Sequence, residues 1–330
     1  MKKFLTVVGN RPQLIKLDRK FKTTLVYTGQ HYDKAMKDVF FKGLKLNKPD
    51  YDLGETELGK MITKLTKVVS KEKPDYIILY GDTRSTLAGA IVALSENIKT
   101  VHIEAGCRSG DDSMIEERIR KFVDSRATIH LAPSEEARER LEMEGYTHAY
   151  NVGATQIDSM YNNAFPTKKP KDAFKYSVAT VHRDFNTDNK ENLQNIMEAL
   201  GESGETIKLF IHPRTEEALK KFKIDVPKNI KIKKPVPYKK MINEIAFAKR
   251  VITDSGGLQV EAFFLRVPCV TLRHNTEWTE TLDSGWNILV GSSKKRILDA
   301  ISHRRRGDAT MYCYGDGDAN SKIRLLLNNL

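Results

Sequence analysis

The chain has 330 residues, 40% hydrophobic and 30% charged, which supplies apolar material for sizeable cores and argues against a disordered polymer. Its 55 basic and 43 acidic residues leave a net charge of +12, scattered among acids with no basic helix or aromatic-interleaved stripe. That distribution favours anionic small molecules over a dedicated nucleic-acid face. No apolar run approaches the ~20 residues of a membrane span, so no membrane partner is expected.

In chain order, the opening segment Lys2-Lys3-Phe4-Leu5-Thr6-Val7-Val8 stops at Gly9-Asn10-Arg11-Pro12, too short for a secretory apolar region. It reads as a first β-strand of a cytoplasmic protein. Further apolar runs predict strands at 24–27, 76–79, 100–103, 128–131, 177–180, 208–211, 230–232, 250–252 and 267–272. Several are continuous rather than alternating, as strands buried on both faces should be. Amphipathic stretches predict helices at 58–71, 85–94, 134–144, 190–200 and 238–248. Alternation of this kind means parallel sheets with helices on both faces.

The array occurs twice. Between the copies lies Asn162-Asn163-Ala164-Phe165-Pro166-Thr167-Lys168-Lys169-Pro170-Lys171, whose prolines and lysines read as a linker, placing a boundary near residue 165. The predicted fold is α/β: two doubly wound, Rossmann-like domains, 1–165 and 166–317, with a ligand cleft between them. Cys107, Cys269 and Cys313 are odd in number, lack metal-ligand spacing and fit a reducing compartment. No metal site is expected.

Polar groups follow the predicted strands. Arg11 offers a fork for phosphate, and Pro12 suits a first helical turn. Gly81-Asp82-Thr83 and Glu104-Ala105-Gly106 each put a carboxylate at a strand's carboxyl end, and Glu116-Glu117-Arg118-Ile119-Arg120 begins a helix. Val181-His182-Arg183, His212-Pro213-Arg214 and Thr253-Asp254-Ser255-Gly256-Gly257 close strands of the second array. Any one of these is an ordinary cap or turn; six at the strand ends of the two predicted domains suggest a site. The Ser255-Gly256-Gly257 turn lets backbone approach a ligand and opens a helix whose N-terminus can hold a diphosphate, with Glu261 placed to accept ribose hydroxyls. No Gly-Lys-Ser/Thr follows and no GxGxxG occurs, which disfavours a P-loop and a nicotinamide cofactor.

The ordered set resembles the non-hydrolysing UDP-N-acetylglucosamine 2-epimerases. Gly9-Asn10-Arg11-Pro12-Gln13-Leu14-Ile15-Lys16 is similar to that family's GTRPExIK, Thr28-Gly29-Gln30-His31 to TGQH and Gly81-Asp82-Thr83 to GDT. The segment 102–108 resembles HVEAGLR, 114–120 MPEEINR, 182–183 HR, 212–215 HPRT, 253–262 TDSGGIQEEA, 273–280 RxxTERPE and 314–319 YGDGKA. The resemblance implies a GT-B fold, a final helix over 318–330 packed back on the first domain, no cofactor, and a homodimer. It implies a UDP-sugar substrate whose C2 is inverted by elimination of UDP to 2-acetamidoglucal and re-addition on the other face.

By that resemblance Asp82, Glu104, Glu116 and His182 hold the places of the catalytic groups. Asp82 and Glu116 would transfer the C2 proton, with Glu104 supporting or sharing the role, and His182 and Arg183 would attend the diphosphate. Arg11, Lys16, Arg120, Arg183, His212, Arg214, Ser255, Gly256, Gly257, Glu261, Arg273, Thr276 and Glu277 would bind the UDP-sugar. Against this stand blander expectations: His212 as a strand-end cap, Glu117 as a helix-surface charge, Glu280 as peripheral.

There are departures. Asn10 and Gln13 replace Thr and Glu, the chain is short between Lys16 and Thr24 so the first helix should be truncated, Ile115 replaces Pro, and Arg118-Ile119 replace Ile-Asn. Val260 replaces Glu and Trp278-Thr279 replace Arg-Pro; a TEW form suggests relatives acting on UDP-2,3-diacetamido-2,3-dideoxy-glucuronate. The alternatives are therefore a 2-epimerase of that sugar, a GT-B UDP-sugar glycosyltransferase, or a non-catalytic UDP-sugar sensor. Bacterial members are activated by a second substrate molecule near TGQH; Asp33 in that loop argues against such activation here.

Overall fold

The computed structural model describes residues 2–29, 41, 44, 46–303 and 306–330. Gln30, His31 and Asp33 of the TGQH segment lie outside these residues. The chain divides into two compact units, Met1–Asn163 with Cys313–Leu330, and Ala164–Tyr312.

The first unit is built on a seven-stranded parallel sheet of β1 (Phe4–Val8), β2 (Thr24–Tyr27), β3 (Tyr51–Asp52), β4 (Tyr76–Tyr80), β5 (Lys99–Ile103), β6 (Ile129–Ala132) and β7 (Ala149–Asn151), in the order β3-β2-β1-β4-β5-β6-β7. Its helices are α1 (Arg11–Lys16), α2 (Leu58–Glu72), α3 (Arg84–Ser95), α4 (Ile115–Arg126), α5 (Glu135–Met143) and α6 (Thr155–Ser159). Every residue of β1 and β4 is buried, which explains a sequence that is apolar throughout except for Thr6 and does not alternate. Helix α2 buries Met61, Leu65, Val68 and Val69 at helical spacing, the last three in the core of Leu5, Val7, Ile77 and Leu79.

The second unit repeats the scheme. Strands β8 (Tyr176–Thr180), β9 (Thr206–Phe210), β10 (Ile230–Lys233), β11 (Val251–Thr253), β12 (Cys269–Thr271) and β13 (Asn287–Leu289) form a parallel sheet in the order β10-β9-β8-β11-β12-β13. Helices α7 (Asp184–Thr187), α8 (Lys190–Glu202), α9 (Pro213–Phe222), α10 (Tyr238–Ala246), α11 (Gly256–Phe264), α12 (Thr279–Asp283) and α13 (Lys294–Ser302) accompany it. In both sheets the strand order reverses once, between β1 and β4 and between β8 and β11. That is the topological switch point at which doubly wound sheets bind ligands.

The last helix, α14 (Ala319–Asn328), belongs to the first unit. Buried Asp158 of α6 accepts the backbone N–H of Ala319 at 3.1 Å and of Asn320 at 2.7 Å, and the Ala154 N–H donates to the Tyr314 carbonyl at 2.9 Å. A carboxylate at a helix N-terminus satisfies donors that the helix itself leaves open. Among the described residues no helix is long and apolar enough to cross a membrane.

Candidate functional site

In the first unit the loops after β1, β4 and β5 are joined by side chains. Gln13 is buried at the third position of α1, where Asn10 caps the helix by accepting the Gln13 N–H at 3.1 Å. Its amide oxygen accepts from the Gly9 N–H at 2.8 Å, and its Nε2 donates to the Tyr80 carbonyl at 2.8 Å and to the Thr83 and Thr86 hydroxyls at 3.0 Å. An amide suits this place because it must accept on one side and donate on the other. Thr83 and Thr86 form a capping box at the start of α3, so the Gly81-Asp82-Thr83 turn is tied to both its neighbours.

Lys16 ends α1 and pairs with Glu104 at the end of β5. Glu104 is a non-glycine residue at φ +71°, a left-handed conformation of the kind that persists at functional sites when surrounding contacts hold it. Its backbone N–H donates to the Leu131 carbonyl at 2.9 Å. A Cβ built on Gly81 would stand 3.7 Å from Glu104 Oε2, so the Glu104 carboxylate lies beside the Asp82 turn. Asp82 in turn pairs with Arg120 of α4.

Arg120 is only 4% exposed, and its other terminal nitrogen meets Glu117 Oε2 at 2.6 Å. Glu117 is fully buried. It accepts the Ser109 N–H at 2.9 Å, the Ser109 hydroxyl at 3.0 Å and the Gly110 N–H at 3.3 Å. The expectation of Glu117 as a surface charge is therefore corrected: a carboxylate with this many donors can be buried at tolerable cost. Neighbouring Glu116, half-buried in the first turn of α4, keeps a more open position.

Behind the turn lies a second buried cluster. Asp124 carries a carboxylate that burial alone would push up; instead His102 and Arg108 hold it down at about 2. His102 Nδ1 is 2.6 Å from Asp124 Oδ1, Arg108 Nη1 is 2.7 Å from Oδ2, and the Gly106 N–H donates to Oδ2 at 3.2 Å. Arg108 continues to Glu144 at 2.6 Å.

In the second unit the switch point is flanked by His182 and Arg183 after β8 and by Asp254 to Gly257 after β11. Asp254 is fully buried and accepts the backbone N–H of His182 at 2.9 Å, that of Arg183 at 2.9 Å and the Asn186 amide at 3.1 Å, with His182 Nδ1 2.9 Å from its Oδ1. Burial raises its pKa, but His182 and the backbone donors outweigh that and leave it below the usual carboxylate range. Against an ionised carboxylate Nδ1 carries hydrogen, which leaves Nε2 of the partly exposed His182 as the nitrogen that can accept one. The sequence reading placed Asp254 in its motif without a role; its position just after a strand, one residue before the helix-opening serine, was the available signal.

Ser255 precedes α11 and its side chain does not cap it, leaving the helix N-terminus to other acceptors. A Cβ on Gly256 would meet Glu277 Oε1 at 2.5 Å, so a larger residue there would have to displace the Glu277 carboxylate, whereas a Cβ on Gly257 meets nothing within 4 Å. Buried Arg273 pairs with Glu277 at 2.8 Å, while its Nε and Nη1 have no hydrogen-bond partner among the described residues. A buried guanidinium with two open donors beside a helix N-terminus is an anion-binding arrangement.

Other expected residues fall elsewhere. His212 Nδ1 accepts the Arg214 N–H at 3.2 Å, so His212 caps α9; its ring lies 5.7 Å from that of His182. Arg214 is exposed, 3.9 Å from Asp188. Thr276 is buried and donates to Gln259 Oε1 at 2.7 Å, inside a polar network that includes Asn287. Glu261 and Glu280 are buried, and Arg11 is half-buried at the start of α1.

A family model described as UDP-N-acetylglucosamine 2-epimerase matches residues 13–328. The chain belongs to the UDP-N-acetylglucosamine 2-epimerase family. It is 43% identical to a UDP-N-acetylglucosamine 2-epimerase homolog of Methanococcus maripaludis, over 99% of this chain and all of that one. It is 36% identical to the UDP-2,3-diacetamido-2,3-dideoxy-D-glucuronate 2-epimerase of Pseudomonas aeruginosa, over 99% of this chain and all of the other. The crystal structure of Methanocaldococcus jannaschii UDP-GlcNAc 2-epimerase with UDP-GlcNAc and UDP superposes with a TM-score of 0.91 at 35% identity, covering 99% of this chain and 100% of that one. The two-domain α/β architecture of this epimerase is the GT-B fold.

Proposed function

We propose that the protein is a cofactor-independent 2-epimerase that interconverts UDP-N-acetylglucosamine and UDP-N-acetylmannosamine. The observation that carries this reading is the Asp82–Glu104 pair of carboxylates beside one turn, each held by a cation, in a chain whose second unit presents an anion site. In this reading Asp82 and Glu116 move the proton at C2, with Glu104 beside them. His182, Arg183, Ser255, Gly256, Gly257 and Arg273 take the diphosphate, where negative charge grows as UDP leaves. Arg11, Arg214 and Glu261 serve the remainder of the nucleotide. The glycal forms when the C2 proton and the C1–oxygen bond are lost together, and UDP adds back after protonation on the other face.

The TEW segment and the Pseudomonas relative favour a second reading with the same chemistry on a diacetamido-glucuronate nucleotide. Incubation with each nucleotide sugar in deuterated water, followed by NMR, separates them. Deuterium at C2 with the UDP linkage largely intact identifies an epimerase and its preferred sugar; sugar transfer with no C2 exchange overturns the reading. A homodimer acting in the cytoplasm belongs to the same proposal, and a monomer by light scattering would remove it.

Arg214→Ala tests the nucleotide half. The side chain is about half exposed, so its charge-assisted contact is discounted for solvent. UDP affinity should fall roughly five- to tenfold by calorimetry. An unchanged affinity takes Arg214 out of the site.

A further inference from the structure

His102 is fully buried on β5, yet none of the roles above uses it. Its Nε2 lies 2.8 Å from the carbonyl oxygen of Gly81. A carbonyl only accepts, so Nε2 must carry the hydrogen and donate. The Gly81 carbonyl belongs to the peptide that joins Gly81 to Asp82. The N–H on the other side of Gly81 donates to the Ile103 carbonyl at 3.0 Å. Both faces of this residue, which sits at φ +59°, are thus fixed by β5. On its far side the imidazole is held by Asp124, itself anchored by Arg108 and the Gly106 N–H.

We infer that His102 is a positioning residue for the epimerisation, setting the Gly81–Asp82 peptide so that the Asp82 carboxylate meets the C2 hydrogen. This rests on the proposed 2-epimerase reading. Asp82 would then be aimed twice, through its side chain by Arg120 and through its backbone by His102. A purely structural histidine would serve equally well through either nitrogen. A positioning one acts through Nε2.

Two substitutions divide the ring's contacts. In His102→Gln the amide nitrogen can reach the Nε2 position and keep the donor to Gly81. In His102→Asn it can reach only the Nδ1 position, keeping Asp124 and losing Gly81. With C2 exchange as the assay, His102→Asn should lower kcat roughly 10- to 100-fold with KM changed less than twofold, because a small misplacement of a reacting group costs that much. His102→Gln should recover most of the rate. Equal losses in both variants, or a loss carried by KM, overturn the assignment.

Nitrogen-15 NMR of the unaltered protein supplies a readout that needs no variant to fold. The His102 Nε2 must show a bound, exchange-protected proton; a bare Nε2 overturns the proposal. Absence of any C2 exchange in the unaltered protein, by contrast, fails the epimerase reading itself.

Discussion

Asp82→Asn is expected to lose hydrogen exchange at C2 while keeping the fold and the nucleotide. The substituted amide still offers an oxygen to Arg120, so the buried guanidinium and its partner Glu117 keep their contacts. What disappears is a group able to take a proton. General acid–base groups contribute about 10²–10⁴-fold, and kcat should fall within that range. UDP affinity, to which this reading assigns Arg11 and residues of the second unit but not Asp82, should stay within twofold. Deuterium incorporation by NMR and UDP titration by calorimetry measure the two quantities separately. Normal exchange would remove Asp82 as the base; lost UDP affinity with normal thermal stability would move it into nucleotide binding. Asp82→Ala is the less informative change, since it also strips Arg120 of an acceptor inside the protein.

The parallel strands at the centres of both sheets were legible because burial on two faces demands unbroken apolar runs, as in Tyr76-Ile77-Ile78-Leu79. Strands β3, β7 and β13 were missed. Each is an edge strand of two or three residues, covered on one side only, and carries no such run. The sites followed the same division. Polar residues at strand ends pointed to Asp82, Glu104, His182 and Ser255 because the switch-point rule concentrates ligands there.

The supporting groups behind them were not legible. Glu117, Arg120 and Asp124 occupy one buried face of α4, yet the sequence names Arg120 only as a sugar-binding residue, reads Glu117 as a surface charge and gives Asp124 no role, because a buried charge is recognised only through its partners. Those partners, Ser109, Asp82 and His102, come from three other segments. Gln13 shows the same limit. It departs from the family's glutamate, and only the structure reveals that its amide donates to Tyr80, Thr83 and Thr86 while accepting from Gly9.

Asp254→Ala should strongly destabilise the second unit. The carboxylate is fully buried and collects the His182 and Arg183 backbone N–H groups, the Asn186 amide and the His182 ring. Alanine leaves these donors in a space that offers no replacement. A buried donor without an acceptor costs about 1–3 kcal/mol, and several donors share this one carboxylate, so a total near 3 kcal/mol is expected. Both tryptophans of the chain, Trp278 and Trp286, are buried in this unit, so urea unfolding followed by tryptophan fluorescence reports it selectively.

The pH dependence has a definite sign. Asp254 is held below the ordinary carboxylate range in the folded unit. Its contribution is therefore fully present above about pH 4, the unfolded value, and is lost as pH falls through the lowered folded one. The gap in stability between the native and Asp254→Ala proteins should shrink as pH falls below about 4. Asp254→Asn keeps one acceptor oxygen and should lose less stability. It cannot hold His182 by charge, and its kcat should drop roughly 10²-fold if ring orientation matters as argued. A stability gap that grows below about pH 4, or an Asp254→Asn protein with native kcat, would show that this carboxylate neither holds the loop nor aims His182.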